Sequence, residues 1–146
     1  LEITIAELQK LRESEDHIEF KEAKHNYPFA GGKHVDLKDG GGVIVALANE
    51  KGGRLVLGMV DHMPHAVVGS DFAEKEVGEL TDEIYERLGI RIEATELYED
   101  GKRVLVLSVP SRPVGRLLRF EGVPLMHIGE SLRAMSDAEI FRILSE

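Results

Sequence analysis

Apolar and polar residues recur along this chain at spacings that separate helices from strands. Ile5, Leu8 and Leu11 share a helical face, with Thr4 as N-cap and Glu7 three residues on, which predicts a short helix over residues 4–11. Ile18-Glu19-Phe20-Lys21 alternates strictly and predicts a strand, burying Ile18 and Phe20 and turning Glu19 and Lys21 together to the opposite face. Residues 23–35, with Asn26, Pro28, Gly31 and Gly32, read as a loop. A helix should begin between Asp36 and Val43. Its start is blurred by Gly40-Gly41-Gly42, because glycine costs about 1 kcal/mol against alanine in a helix interior.

The rest of the chain is organised around residues 43–69. An apolar helical run over 43–48 stops at Asn49, Gly52 and Gly53 turn the chain, and residues 54–60 form a buried strand ending on Asp61. Residues 66–69 read as a short partner strand. Asp71 is placed to cap a helix running to Leu88, with Ala73, Val77, Leu80, Ile84 and Leu88 in one stripe and Gly89 as its stop. Residues 90–98 and 102–109 form a hairpin across Glu99-Asp100-Gly101. A second hairpin pairs residues 116–120 with 124–128 across Glu121-Gly122. Ser136 and Glu139 open a last helix with Ile140, Phe141 and Leu144 facing inward. The predicted class is α+β: one domain over residues 1–146, with a mixed, mostly antiparallel sheet built from hairpins and helices packed on it.

Composition narrows this only modestly. A hydrophobic fraction of 42% over 146 residues supports one ordinary core, and no apolar run is long enough to span a membrane. There is no signal-peptide pattern and no cysteine, so disulfides and thiolate metal sites are excluded and a cytoplasmic setting is expected. The chain opens on Leu1 and is read as a piece of a longer protein. A net charge of −9 argues against non-specific coating of nucleic acid, but the charge is uneven. Residues 71–87 hold seven acids against Lys75 and Arg87, while residues 108–120 carry Arg112, Arg116 and Arg119 and no acid. Lys21, Lys24, Lys33, Lys38, His25 and His34 form another basic stretch.

Candidate chemistry follows from these placements. Glu19 and Asp61, at strand positions, are a carboxylate pair suited to Mg²⁺ or Mn²⁺, with Lys21 beside Glu19 to meet a phosphate. Arg112, Arg116 and Arg119 are candidate phosphate contacts, Arg112 in a proline-bracketed segment free to move by itself. His62 and His65 match no zinc spacing and read as surface histidines beside a turn. A Walker-type Gly-Lys-Ser/Thr is absent, so nucleotide binding is not expected.

A set of short motifs carries a resemblance. It runs from Glu13-Ser14 and Ile18-Glu19-Phe20-Lys21 through Ala46-Leu47-Ala48-Asn49 with Gly52-Gly53, then Leu55-Val56-Leu57-Gly58-Met59-Val60-Asp61 and Val67-Val68-Gly69. It continues with Ser111-Arg112-Pro113, then Gly122-Val123-Pro124 and Met126-His127-Ile128-Gly129-Glu130-Ser131. In this order the motifs resemble the Schlafen-type AlbA_2 domain, also described as a divergent AAA-4 or DNA-binding domain. Such domains occur in bacterial transcriptional regulators and in proteins related to the helicase RecG.

The resemblance implies a nucleic-acid-binding module, DNA before RNA, with His127 added to Lys21, Arg112, Arg116 and Arg119 as a contact. It also implies a three-carboxylate nuclease as the alternative, with Glu19, Asp61 and one of Glu13 or Glu15. The spacing to Glu19 is six from Glu13 and four from Glu15, neither of them the family's usual one, so the first carboxylate stays open. Where the family often has a basic contact this chain has His127, and Glu130 adds an acid. Exposed edge strands would also suit a homodimerising interaction module.

Overall fold

A computed structural model describes residues 2–13, 15–28, 39–129 and 131–146. Several expectations fall outside these: the loop beyond Pro28 with Lys33, His34 and Lys38, the helix start before Asp39, and the positions Ser14 and Glu130.

The elements are α1 (Ile5–Leu8), β1 (Ile18–Lys21), α2 (Gly40–Asn49), β2 (Gly53–Leu57), α3 (Val77–Leu88), β3 (Glu93–Glu99), β4 (Lys102–Val109), β5 (Arg119–Phe120), β6 (Val123–Ile128), β7 (Ser131–Ala134) and α4 (Asp137–Leu144). The main sheet has the order β1-β2-β4-β3, with β1 parallel to β2 and the other pairs antiparallel. A parallel pair needs a long crossover, and α2 lies within it. A smaller antiparallel sheet, β5-β6-β7, follows. The class is therefore α+β with a mixed sheet.

Strand alternation divides the core between the two faces of the main sheet. Ile18, Phe20, Val56, Val104 and Val106 face Ile5 and Leu8 of α1, whose Thr4–Glu7 capping box is fully formed. Leu55, Leu57, Leu105 and Leu107 face α2, α3 and the small sheet. Every residue of α2 is buried, as expected of a helix apolar on all sides that runs between two sheets. Gly53 permits the closest approach: a Cβ there would stand 2.2 Å from the carbonyl oxygen of His17. Among the described residues no helix is long and apolar enough to cross a membrane.

Four expectations are corrected. The helix read from Asp71 begins at Val77, because Ala73 and Lys75 take positive φ (54° and 66°) and turn the chain. The partner strand at 66–69 reduces to a single bridge between Met59 and Val67. The strand β7 was not foreseen. On α4 the inward residue is Ile143, while Phe141 and Leu144 are 73% and 55% exposed.

Candidate functional site

The edge strand β1 and the small sheet enclose a cleft of about 480 Å³, lined by Glu13, Glu19, Lys21, Asp61, His127 and Arg133, with Val43, Ser131 and Leu132. Its placement follows from the strand period. Ile18 and Phe20 point to the α1 face, so Glu19 and Lys21 emerge on the α2 face, where β6 and β7 overhang them.

Each carboxylate already has a partner. Glu13 accepts a hydrogen bond from the Phe20 N–H at 2.8 Å. It thereby caps a donor on the edge of β1 that no neighbouring strand reaches. Glu19 has Lys21 Nζ at 3.8 Å and His127 Nε2 at 3.6 Å. Asp61 is largely exposed, with His62 Nδ1 at 3.4 Å. Glu15 is exposed in the turn before β1 and does not line the cleft. Of the two candidates for the first carboxylate, Glu13 is the one brought to Glu19 and Asp61.

His127 is the most constrained group in the cleft. Both its backbone N–H and its ring Nδ1 meet Glu50 Oε2, at 3.0 and 2.6 Å, while Nε2 faces Glu19. Burial opposes charge on the ring. The Glu50 hydrogen bond and the Glu50, Glu19 and Glu13 carboxylates outweigh it, so the His127 pKa is raised above the ordinary histidine value. Nearby, burial first and then the charges of Glu19 and Asp39 push the Tyr27 phenol up.

None of the three candidate arginines lines the cleft. Arg116 and Arg119 are exposed beside the small sheet and do not line the cleft. Arg112 is not a mobile cation: it is 9% exposed and grips Glu146 through both terminal nitrogens, at 2.7 and 2.8 Å. Its Nε donates to the Asn49 carbonyl at 3.2 Å, and its backbone N–H to the Ala48 carbonyl. That grip, with the Gly115 N–H, holds the Glu146 carboxyl down at about 2. His65 also departs from expectation. It is 2% exposed, stacks on Phe20 with ring centroids 3.7 Å apart, and sets its two ring nitrogens 2.8 Å from the Val60 and Leu11 carbonyls.

Two residues were missed from sequence: Arg133, which lines the cleft, and Glu50, which holds His127. Arg133 sits on the unforeseen β7, where Ser131-Leu132-Arg133-Ala134 alternates after Gly129. Glu50 directly follows the helix end at Asn49, and nothing local marks its link to His127, 77 residues away.

Among the described residues no three of His, Asp or Glu stand together as a cation site. The carboxylates are instead committed to a backbone N–H, Lys21, His127 and His62. What the cleft offers chemically is a surface of alternating sign. Lys21 and Arg133 are its solvent-facing cations, and Arg133 has no ion pair among the described residues.

The family model described as "Schlafen, AlbA_2" matches residues 14–136. A solved structure of the N-terminal domain of a protein related to the ATP-dependent DNA helicase RecG, from Nitrosomonas europaea, superposes with a TM-score of 0.61 at 21% identity. It covers 93% of this chain and 94% of that one. A protein from Corynebacterium diphtheriae superposes with a TM-score of 0.61 at 17% identity over 87% of this chain. The chain spans 27% of that protein's length. At these identities the two structures speak for the fold. No curated protein matches the sequence.

Proposed function

The chain belongs to the Schlafen AlbA_2 family, and on that premise we propose that it is a nucleic-acid-binding module of a larger protein, holding the strand backbone in the β1–β6–β7 cleft. The observation that carries this reading is the convergence of Lys21, His127 and Arg133 on one cleft from three separate strands. Cations so placed meet phosphates, and carboxylate neighbours set where Lys21 and His127 point. The acids within the same cleft make it selective for a strand in one position, unlike a uniformly basic surface that takes any polyanion. DNA is favoured over RNA because the Nitrosomonas protein, by its description, is related to a DNA helicase. Service within a regulator or helicase-like protein accords with the small share of the Corynebacterium chain that this domain spans.

A second reading, strand cleavage aided by Mg²⁺ or Mn²⁺, draws on Glu13, Glu19 and Asp61 lining the same cleft. These would first have to leave their present partners.

The test is a fluorescence-anisotropy titration of labelled single- and double-stranded DNA and RNA at two salt concentrations, with Mn²⁺ present and a denaturing gel afterwards. Binding that weakens with salt and leaves the strand intact is the expected result. Strands cut by the protein but not by Asp61→Ala would replace binding with cleavage. No binding to any strand would refute both.

A further inference from the structure

The loop after β2 crosses from the cleft to the other face of the main sheet, and His65 fastens it there. Asp61 lines the cleft. Four residues on, the His65 ring stacks on Phe20, on the face that packs against α1. The ring is 2% exposed and lies 14° from parallel to its aromatic neighbour. Its backbone takes a φ of 56°, a left-handed conformation that a non-glycine residue keeps only where its contacts hold it.

Both ring nitrogens face acceptors that have no proton to give. Nδ1 lies 2.8 Å from the Val60 carbonyl oxygen, and Nε2 lies 2.8 Å from that of Leu11. A neutral imidazole has one N–H and one lone pair. It satisfies one carbonyl and sets its lone pair against the other, whereas the imidazolium donates to both. A charge held there is compensated by the two carbonyl oxygens and by the π face of Phe20. Charged groups lie along every packed element: Lys10, Arg12 and Glu13 around Leu11, Glu19 and Lys21 around Phe20, and Asp61 and His62 beyond Val60. Among the described residues none of them hydrogen-bonds the ring. Arg12 and Glu13 are engaged with Asp16 and the Phe20 N–H, Glu19 with Lys21 and His127, and Asp61 with His62.

We propose that His65 is a buried imidazolium clamp that pins the Asp61 loop to the chain just after α1, and that loss of one ring proton to solvent opens it. With that proton gone, a nitrogen lone pair faces a carbonyl lone pair, so the Val60 or the Leu11 carbonyl has to move away. Asp61, covalently joined to Val60, moves with the loop. A proton on one face of the sheet thereby sets the position of a cleft residue on the other. The clamp rests on the geometry of the loop and holds whether or not a strand binds in the cleft.

The experiment is NMR on the uniformly nitrogen-15-labelled chain from about pH 5 to about pH 9, with spectra that report the protonation of each ring nitrogen. Two protonated nitrogens on His65 are expected at the acid end. As the ring loses a proton, the amides of Leu11, Val60 and His65 should shift along the same curve. The Val60 amide, which donates to the Ala66 carbonyl, should then exchange with solvent about fivefold faster or more, beyond the base-catalysed rise of exposed amides. His62→Gln, on an exposed side chain of the same loop, should leave this transition in place. The unaltered chain carries the decisive reading, so the test does not depend on a folded His65 variant. A ring with one protonated nitrogen throughout, or one that keeps both protons over the whole range, would overturn the proposal. So would a ring transition that leaves the three amides unmoved, or one that vanishes in His62→Gln.

Discussion

Replacing Asn49 by alanine should loosen the joint on which the cleft depends. Asn49 ends α2, is almost fully buried, and makes three side-chain hydrogen bonds to the small sheet. Its Nδ2 donates to the Leu118 and Leu125 carbonyls at 3.0 and 2.9 Å, and its Oδ1 accepts from the Leu118 N–H at 3.1 Å. Truncation leaves three backbone groups without partners. A fully buried one, the Leu125 carbonyl, costs about 2 kcal/mol, and the two partly buried groups of Leu118 cost about 1 kcal/mol each. The total is about 4 kcal/mol, a large part of the roughly 5–15 kcal/mol that holds a domain together. With a urea slope of about 2 kcal/mol per molar, the unfolding midpoint should fall by about 2 M. Asn49→Asp makes the sharper comparison. The carboxylate keeps the Leu118 N–H but meets two carbonyl oxygens, so at neutral pH it should be no better than alanine. Urea unfolding followed by circular dichroism reads both variants. A midpoint shift under about 0.5 M with unchanged slope would show that apolar burial of α2 holds the two sheets together and that the Asn49 bonds are incidental.

Three further outcomes follow from packing and charge. Gly53→Ala should cost about 3 kcal/mol or more and lower the thermal midpoint accordingly, since the added methyl meets the His17 carbonyl and only backbone movement between β1 and β2 can admit it. His65→Ala should cost about 3 kcal/mol in chemical denaturation, having lost the Phe20 stack and left the Val60 and Leu11 carbonyls bare. For the Arg112–Glu146 pair the folded carboxyl lies near 2, below its ordinary 4.5, so the stability it contributes is present above pH 4.5 and lost as pH falls toward 2. The gap in melting temperature between the unaltered chain and Glu146→Gln should therefore be full at neutral pH and close across that acid window.

Local patterns carried most of the fold. The Ile18–Lys21 alternation, the Asp100-Gly101 turn and the Thr4 and Ser136 caps all depend on residues within a few positions of one another, and all appear where expected. The failures share a different origin. Periodicity gives a helix an apolar stripe but does not say which neighbour covers it, and α4 turned Ile143 inward in place of Phe141 and Leu144. Arg112 looked free because Glu146, its partner, lies 34 residues downstream. Asn49 was legible as a helix end, while its bonds to Leu118 and Leu125 span 69 and 76 residues. At the cleft, Glu19 and Lys21 could be named from strand positions, whereas Asp61, read as the end of the strand, lies four residues beyond the end of β2 at Leu57, in a bend. The choice of Glu13 over Glu15 was not open to spacing, because it depends on the turn before β1, where His17 takes a φ of 50°. Arg133 waited on a strand that follows a short glycine turn and has only four residues.

The cleft itself is tested most directly by comparing two double variants in strand binding. Lys21→Ala with Arg133→Ala removes the half-buried and the exposed cation of the cleft, while Arg116→Ala with Arg119→Ala removes two exposed cations beside the small sheet. Anisotropy titrations across a salt series give both affinity and the number of phosphate contacts. The cleft variant should bind tenfold or more weakly, with a salt slope reduced by about 2, as for two lost phosphate contacts. The other variant should bind as the unaltered chain does. Binding lost in the Arg116/Arg119 variant and kept in the Lys21/Arg133 variant would move the strand to the β5 edge and contradict the cleft.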